Sequence, residues 1–299
     1  AGRIAAQTGC ALLSEWSNAR QERGAGRVFV NRVPYPIDVA LKVLEPFKRI
    51  VLVGARAPIG FFAYPDKPAI LTRDGADILT LAPAGSDLDA AMAALCDATG
   101  AAQTPPAHIT EPAQRERPTG PITLESLATL ISRAIPENGI IVDESVTSGR
   151  AFAPATKAAA PHTWLNNCGG SIGYAMPAAI GAAVACPDRK VMCLTGDGSA
   201  MYTNQALWTM ARENLDVTVL VFANRSYQIL RGELTNVGVQ NAGPRAMDML
   251  TLDRPTLDWV QMSRAMGVTA CRVSECEDLE AALEEGLSSG KANLIEIVL

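Results

Sequence analysis

Residues 191–204 read "VMCLTGDGSAMYTN": an apolar run that stops on an aspartate held between two glycines, followed by an amphipathic segment. The run reads as a strand buried on both faces, and the segment after it as a helix. A buried strand passing through Gly-Asp-Gly into a helix is the repeating unit of an open parallel sheet, so this stretch sets the fold class as α/β.

The same alternation surrounds it. Downstream of residue 121, "ITLESLATLISRAI" has helical periodicity, "GIIVDES" reads as a strand and "GYAMPAAIGAAVAC" as a helix of small residues. "NQALWTMAREN" (helix) and "DVTVLVFAN" (strand) follow, then "TLDWVQMSRAM", "VTACRV", "ECEDLEAALEEGL" and "ANLIEIVL" as helix, strand, helix and strand. The expected architecture is a doubly wound parallel sheet over residues 122–299. Residues 232–255 show no clear period and are expected to be a long irregular segment, functional or mobile.

Upstream, "ALKVLEPF" reads as a helix, "RIVLVGA" as a fully buried strand, "DILTLA" as another, and "SDLDAAMAALCDA" as a helix capped by Ser86. The chain opens inside a helical pattern, "AGRIAAQTGC", with no strand leading into it. Residues 1–100 therefore read as an incomplete, smaller parallel α/β domain. Residues 101–121 hold five prolines and read as an exposed linker between the two. A start at Ala1 without methionine suits a processed chain or part of a longer polypeptide.

Composition narrows the function classes. With 299 residues, about half of them apolar, there is ample core for two domains. The net charge of −5 comes from interspersed acids and bases, with no basic stripe for a nucleic acid. No run approaches the roughly 18 apolar residues of a membrane span, and no signal peptide is expected. Seven cysteines without a CxxC pair read as reduced core thiols and a cytoplasmic home, and two histidines make a His/Cys zinc site a poor fit.

Asp197 lies where ligands bind in such sheets, at the carboxyl end of a strand. Gly196 and Gly198 let main-chain amides approach phosphate oxygens, but a carboxylate facing phosphate is repelled unless a divalent cation lies between them. The next strand ends at Asn224, whose amide oxygen would lie beside Asp197 if consecutive strands are neighbours. The turn "NRSY" adds main-chain carbonyls such as that of Ser226. A plain strand-to-helix connection is the competing reading for Gly-Asp-Gly alone. A nucleotide-binding α/β protein would call for GxGxxG or a P-loop lysine, and neither occurs.

The combination "GDGS…FANRSY", with "GGSIGYAMPAAIGAA" before it, resembles the diphosphate-and-magnesium signature of thiamine-diphosphate-dependent enzymes. Residues 122–299 are similar to that family's diphosphate-binding domain. Residues 1–100 more loosely resemble most of the central domain of acetolactate-synthase-like and benzoylformate-decarboxylase-like members. "NRSYQILRGEL" and "GARAPIGFFAYPDKP" look closest to the acetolactate-synthase-like large-subunit group.

The resemblance implies thiamine diphosphate and Mg²⁺ as cofactors, with Asp197, Asn224 and the Ser226 carbonyl as metal ligands. It puts Gly196, Gly198 and Ser199 on the diphosphate, Tyr227 close to it, and Ile172 in the turn with Gly170 and Ser171 beneath the bent cofactor. Ser145 and Thr147 are further phosphate candidates, for which helix capping is an equal account. Ile229 and Leu230, after the metal loop, are candidates to face substrate, with core packing the alternative. Nothing in residues 1–100 calls for a flavin or nucleotide, and nothing there forbids one.

Three departures bear on substrate. Ala223 replaces the first of two asparagines often found before the metal turn. Leu230 stands where pyruvate-decarboxylase relatives carry a glutamate, and Glu233 where biosynthetic acetolactate synthases carry a tryptophan. The family's activating glutamate belongs to a pyrimidine-binding domain with no counterpart here; neither Glu15 nor Glu144 has its context, so no catalytic residue is assigned. The expectation is a 2-oxoacid decarboxylase or carboligase, completed in a homodimer or homotetramer by the pyrimidine domain. The alternative is a non-catalytic fragment or degenerate homologue that keeps the cofactor site.

Overall fold

The computed structural model describes every residue except Gln114, which lies within the proline-rich stretch. The chain forms two compact units: residues 1–18 with 28–109, and residues 19–27 with 110–299. The division falls inside the proline-rich stretch, and residues 101–109 pack with the first unit, where Ala101 is fully buried.

The first unit holds α1 (Gly2–Thr8), β1 (Leu13–Ser14) and, beyond an excursion of the chain through β2 (Arg20–Arg23) into the second unit, β3 (Asn31–Arg32). It continues with α2 (Ile37–Leu44), β4 (Arg49–Val53), β5 (Asp77–Ala82) and α3 (Leu88–Ala98). α2 is amphipathic: Ile37, Ala40 and Leu44 share one face and build a small core with Val33 and Leu71. β4 and β5 form a two-stranded parallel sheet. The expectation of fully buried strands fails here, since Val51 is 45% and Leu79 53% exposed. Two strands with one flanking helix cannot cover both faces of a sheet. The cap of α3 is Asp87, not Ser86: its side chain accepts the Ala90 N–H at 2.9 Å.

The second unit contains α4 (Leu124–Ala134), β6 (Ile140–Glu144), α5 (Phe152–Thr156), β7 (His162–Asn166), α6 (Ala175–Ala185) and β8 (Val191–Gly196). Then come α7 (Asp197–Ala200), α8 (Ala206–Arg212), β9 (Val217–Ala223), α9 (Gln228–Asn236), α10 (Pro244–Met249), α11 (Trp259–Ala265), β10 (Thr269–Val273), α12 (Cys276–Ser288) and β11 (Asn293–Val298). The seven-stranded sheet runs β10-β11-β9-β8-β6-β7-β2, parallel except for β2. The segment expected to be irregular therefore holds the end of α9 and all of α10.

Strand burial shows why the sheet is doubly wound. Met192, Leu194, Leu220 and Phe222 face one layer with Leu127, Leu130 and Ile131 of α4, Phe152 of α5 and Leu279 and Leu283 of α12. Their neighbours Val191, Cys193, Val217, Val219 and Val221 face the other, with Met176 of α6, Leu207 of α8 and Trp259 of α11. Truncating any one of these large side chains would cost about 2–5 kcal/mol. Of the seven cysteines expected in the core, only Cys193 and Cys276 are buried, while Cys10 and Cys271 are exposed. Cys271 lies on β10, an edge strand that is covered less well than β8. Among the described residues no helix is long and apolar enough to cross a membrane.

The order of the strands places the site. From β6 the chain goes to β7 on one side, then returns past β6 to β8 on the other. The carboxyl ends of β6 and β8 are thus neighbours at the switch point, with Glu144 in register with Thr195, and such a crevice is where open sheets bind ligands.

Candidate functional site

β8 ends in extended backbone at Gly196 (φ −80°, ψ 156°), and Asp197 opens α7. Asp197 is 3% exposed. One carboxylate oxygen, Oδ1, accepts the Gly198 N–H at 2.8 Å; the other, Oδ2, accepts the Arg225 N–H at 2.7 Å. Arg225 directly follows Asn224, so this bond draws the ends of β8 and β9 together. Asn224 Oδ1 accepts the Ser226 N–H at 3.0 Å, folding the turn on itself, with Arg225 in left-handed backbone at φ +52°.

Burial pushes the Asp197 carboxyl up to about 6, the main-chain N–H groups of Arg225, Gly198 and Asp197 itself pull it back, and Glu296 adds to the rise. Asp197 forms no salt bridge with a lysine or arginine among the described residues. Nor does any group of three or more His, Cys, Asp or Glu side chains placed to hold a metal ion occur among them. A cation here would draw on one carboxylate, the Asn224 amide oxygen and main-chain oxygens. That donor set is hard and oxygen-only, and it fits Mg²⁺ with further ligands from water or phosphate. The Ser226 carbonyl fits as well, because no N–H among the described residues donates to it.

The turn is braced from behind. Tyr227 N–H donates to Leu250 O at 3.0 Å and Leu252 N–H to Arg225 O at 2.8 Å, pairing the loop 225–227 antiparallel with residues 250–252. Arg231 Nη2 donates to Thr251 Oγ1 at 2.9 Å, and that hydroxyl donates to Met247 O at 2.9 Å. Tyr227 lies against Gly198, where a Cβ would stand 2.5 Å from its Cε1. The second glycine of Gly-Asp-Gly is thus required by an aromatic ring as well as by any phosphate. Ser199 is buried beside it.

The turn 169–173 is tied in through Glu144, at the end of β6. Glu144 Oε1 accepts the Tyr174 N–H at 2.8 Å and Asn167 Nδ2 at 3.1 Å, while Oε2 accepts the Ala175 N–H at 3.2 Å and the Thr195 hydroxyl at 3.4 Å. Burial raises its pKa, and these hydrogen bonds oppose the rise. Sequence reasoning passed over this residue. The signal was there: an acid at the end of a buried strand, as with Asp197. Gly173, at φ +94°, leaves only 2.7 Å between a would-be Cβ and Tyr202 Cβ.

Within that turn Gly170 and Ser171 are exposed and Ile172 half-buried. Ser145 is 4% exposed, and its hydroxyl donates to Asp143 Oδ1. Thr147 is half-buried in the turn after β6. On α9, Ile229 is half-buried and Leu230 46% exposed. The structure therefore joins Asp197, Gly198, Asn224, Ser226 and Tyr227 in one bonded cluster. Ser145 and the Ile172 turn belong to a second cluster around β6, linked to the end of β8 by Thr195.

Comparison with known proteins matches residues 123–297 to the thiamine pyrophosphate enzyme, C-terminal TPP binding domain; thiamine pyrophosphate and thiamine diphosphate are the same compound. The chain is 44% identical over its whole length to a Mycobacterium tuberculosis protein given the provisional name acetolactate synthase large subunit IlvX, and spans 58% of that relative's length. It is 32% identical over 178 residues to benzoylformate decarboxylase of Pseudomonas aeruginosa, covering 60% of this chain and 32% of that one. Among solved structures, the thiamine diphosphate-dependent 4-hydroxybenzoylformate decarboxylase of Rhodococcus jostii RHA1 shares the fold. Its TM-score is 0.79 at 23% identity, covering 99% of this chain and 57% of that one.

Proposed function

The chain belongs to the thiamine pyrophosphate enzymes, and from that premise we propose that it binds thiamine diphosphate through Mg²⁺ for a 2-oxoacid decarboxylase or carboligase of acetolactate-synthase-like type. The observation that carries this reading is the buried Asp197 carboxylate, tied to the residue after Asn224 and in no salt bridge among the described residues. A site of this kind gains most from a divalent cation that brings its own anionic ligand.

In this reading Asp197, Asn224 Oδ1 and the Ser226 carbonyl ligate Mg²⁺. Main-chain groups of Gly196, Gly198 and Ser199 take the diphosphate, with Ser145 and Thr147 at its margin and Tyr227 alongside. Gly170, Ser171 and Ile172 support the rings, and Ile229 and Leu230 face the substrate. When bound, the cofactor supplies a nucleophilic carbon and an electron sink for cleaving the bond beside a keto group. The chain's own part is to hold and orient. Ile229 and Leu230 carry no titratable group, so they exclude water and shape the pocket rather than move protons. Proton transfer to the aminopyrimidine falls to a glutamate outside this chain's residues, in a homodimer or homotetramer of the intact protein.

Two measurements test the proposal. Thiamine diphosphate with Mg²⁺ should raise the melting temperature, and neither alone should do so to the same extent. The intact protein should turn over pyruvate or benzoylformate only with both present; no cofactor-dependent stabilisation and no turnover would overturn it.

A further inference from the structure

Glu144 lies outside every role assigned above, yet its carboxylate joins three separate stretches of chain. It ends β6, receives the Thr195 hydroxyl from the carboxyl end of β8, and receives the first N–H groups of α6 from Tyr174 and Ala175. Asn167 adds a fourth bond from the start of the turn, and its Nδ2 also donates to Ser171 O at 2.7 Å. Its Oδ1 accepts the Gly169 N–H at 3.2 Å, so Asn167 is a rivet between Glu144 and the glycine-rich turn.

We propose that Glu144 is a positioning residue: it holds the turn 169–173 at the switch point and thereby sets where Ile172 stands relative to the Gly-Asp-Gly turn. This rests on the reading that Ile172 supports the cofactor's rings. Gly169, Gly170 and Ser171 are exposed, so the turn gains little from packing and depends on its bonds. On its far side the Thr203 hydroxyl donates to Gly173 O at 2.9 Å, which fixes one end only.

A carboxylate suits the task because it accepts four bonds and is favoured at the N-terminus of the 11-residue α6. Glutamine has a single acceptor oxygen and would turn an NH₂ toward one of the α6 N–H groups. All four of these hydrogen-bond partners of Glu144 donate to it, so the carboxylate acts here as an acceptor that ties segments of chain together.

The test separates the two halves of the ligand. On the intact protein, Glu144→Gln should weaken Mg²⁺-dependent thiamine diphosphate binding on the order of tenfold, the effect of losing one charge-assisted hydrogen bond. Inorganic diphosphate with Mg²⁺, which draws on the Gly-Asp-Gly turn, Asn224 and the margin at Ser145 and Thr147 but not on the turn 169–173, should change less than about threefold. Equal losses for both ligands, or loss for neither, would overturn the proposal. Should Glu144→Gln fail to fold, Asn167→Ala leaves the carboxylate and the α6 cap in place. It should show the same discrimination at smaller amplitude, and its absence there overturns the proposal equally. An unmutated protein that binds inorganic diphosphate but gains nothing from the thiamine portion would instead remove the reading on which the proposal stands.

Discussion

The Asp197 carboxylate and the Arg225 main-chain N–H meet at 2.7 Å, across the ends of two neighbouring parallel strands. Main chain after one strand thus satisfies a side chain after the other. Asp197→Asn preserves the shape and one acceptor but not the charge. It should abolish the Mg²⁺-dependent stabilisation by thiamine diphosphate. The melting temperature without ligand should shift only by the ~2–4 °C that corresponds to about 1 kcal/mol. Persistence of the metal-dependent gain, followed by calorimetry, would remove Asp197 from the metal site.

Gly198 and Tyr227 are coupled by contact. Gly198→Ala would place Cβ 2.5 Å from Tyr227 Cε1 and 3.2 Å from Leu252 Cδ1, and should destabilise by about 1–3 kcal/mol. Adding Tyr227→Leu should recover part of that loss. A double-mutant cycle by urea unfolding reads the coupling, and strict additivity would refute the contact.

The strap behind the metal loop hangs on Thr251. Arg231 Nε is buried without a hydrogen-bond partner among the described residues, so the Nη2 bond to Thr251 matters more to this guanidinium. Thr251→Val keeps the volume, removes that acceptor and should cost about 1–3 kcal/mol. Because residues 250–252 pair with Arg225–Tyr227, Mg²⁺ titrated at fixed thiamine diphosphate should also bind more weakly. An unchanged metal titration would show the strap to be dispensable for the loop.

His162 should make the protein acid-sensitive. It is 1% exposed, its Nδ1–H donates to Ala160 O at 2.6 Å, and burial lowers its pKa to about 4. Arg23 opposes its protonation further, and Glu22 opposes that effect. Since the unfolded imidazole titrates near 6.5, stability is complete above that pH and declines as pH falls toward 4. The unfolded chain takes up a proton that the fold refuses. The loss approaches about 3 kcal/mol. His162→Leu should flatten the dependence of the urea midpoint between pH 6.5 and 4; an unchanged slope would assign it to other groups.

Periodicity revealed the strands that are buried on both faces, β6, β8, β9 and β11, because a continuous apolar run is what such strands require. It missed β7, "HTWLN", and β2, "RQER", whose residues carry no such run. β2 is polar because it forms the antiparallel edge of the sheet, where Arg23 lies 4.7 Å over the Trp164 ring. Local pattern reports a residue's surroundings only where those surroundings are uniform along the strand.

The site divides the same way. Asp197, its flanking glycines and Asn224 stand out in the sequence, because an acid and an amide that end buried apolar strands break the pattern around them. Glu144 also ends a buried strand, but its partners are 23 to 51 residues away and lie on different sides of β6. Only the order β7-β6-β8 brings them together. Sequence alone determined an α/β chain with a Gly-Asp-Gly turn and a paired asparagine. The tertiary structure decided what each carboxylate joins, Asp197 the turn after β9 and Glu144 the turn before α6, because hydrogen bonds between distant segments are settled by strand order, not by neighbours along the chain.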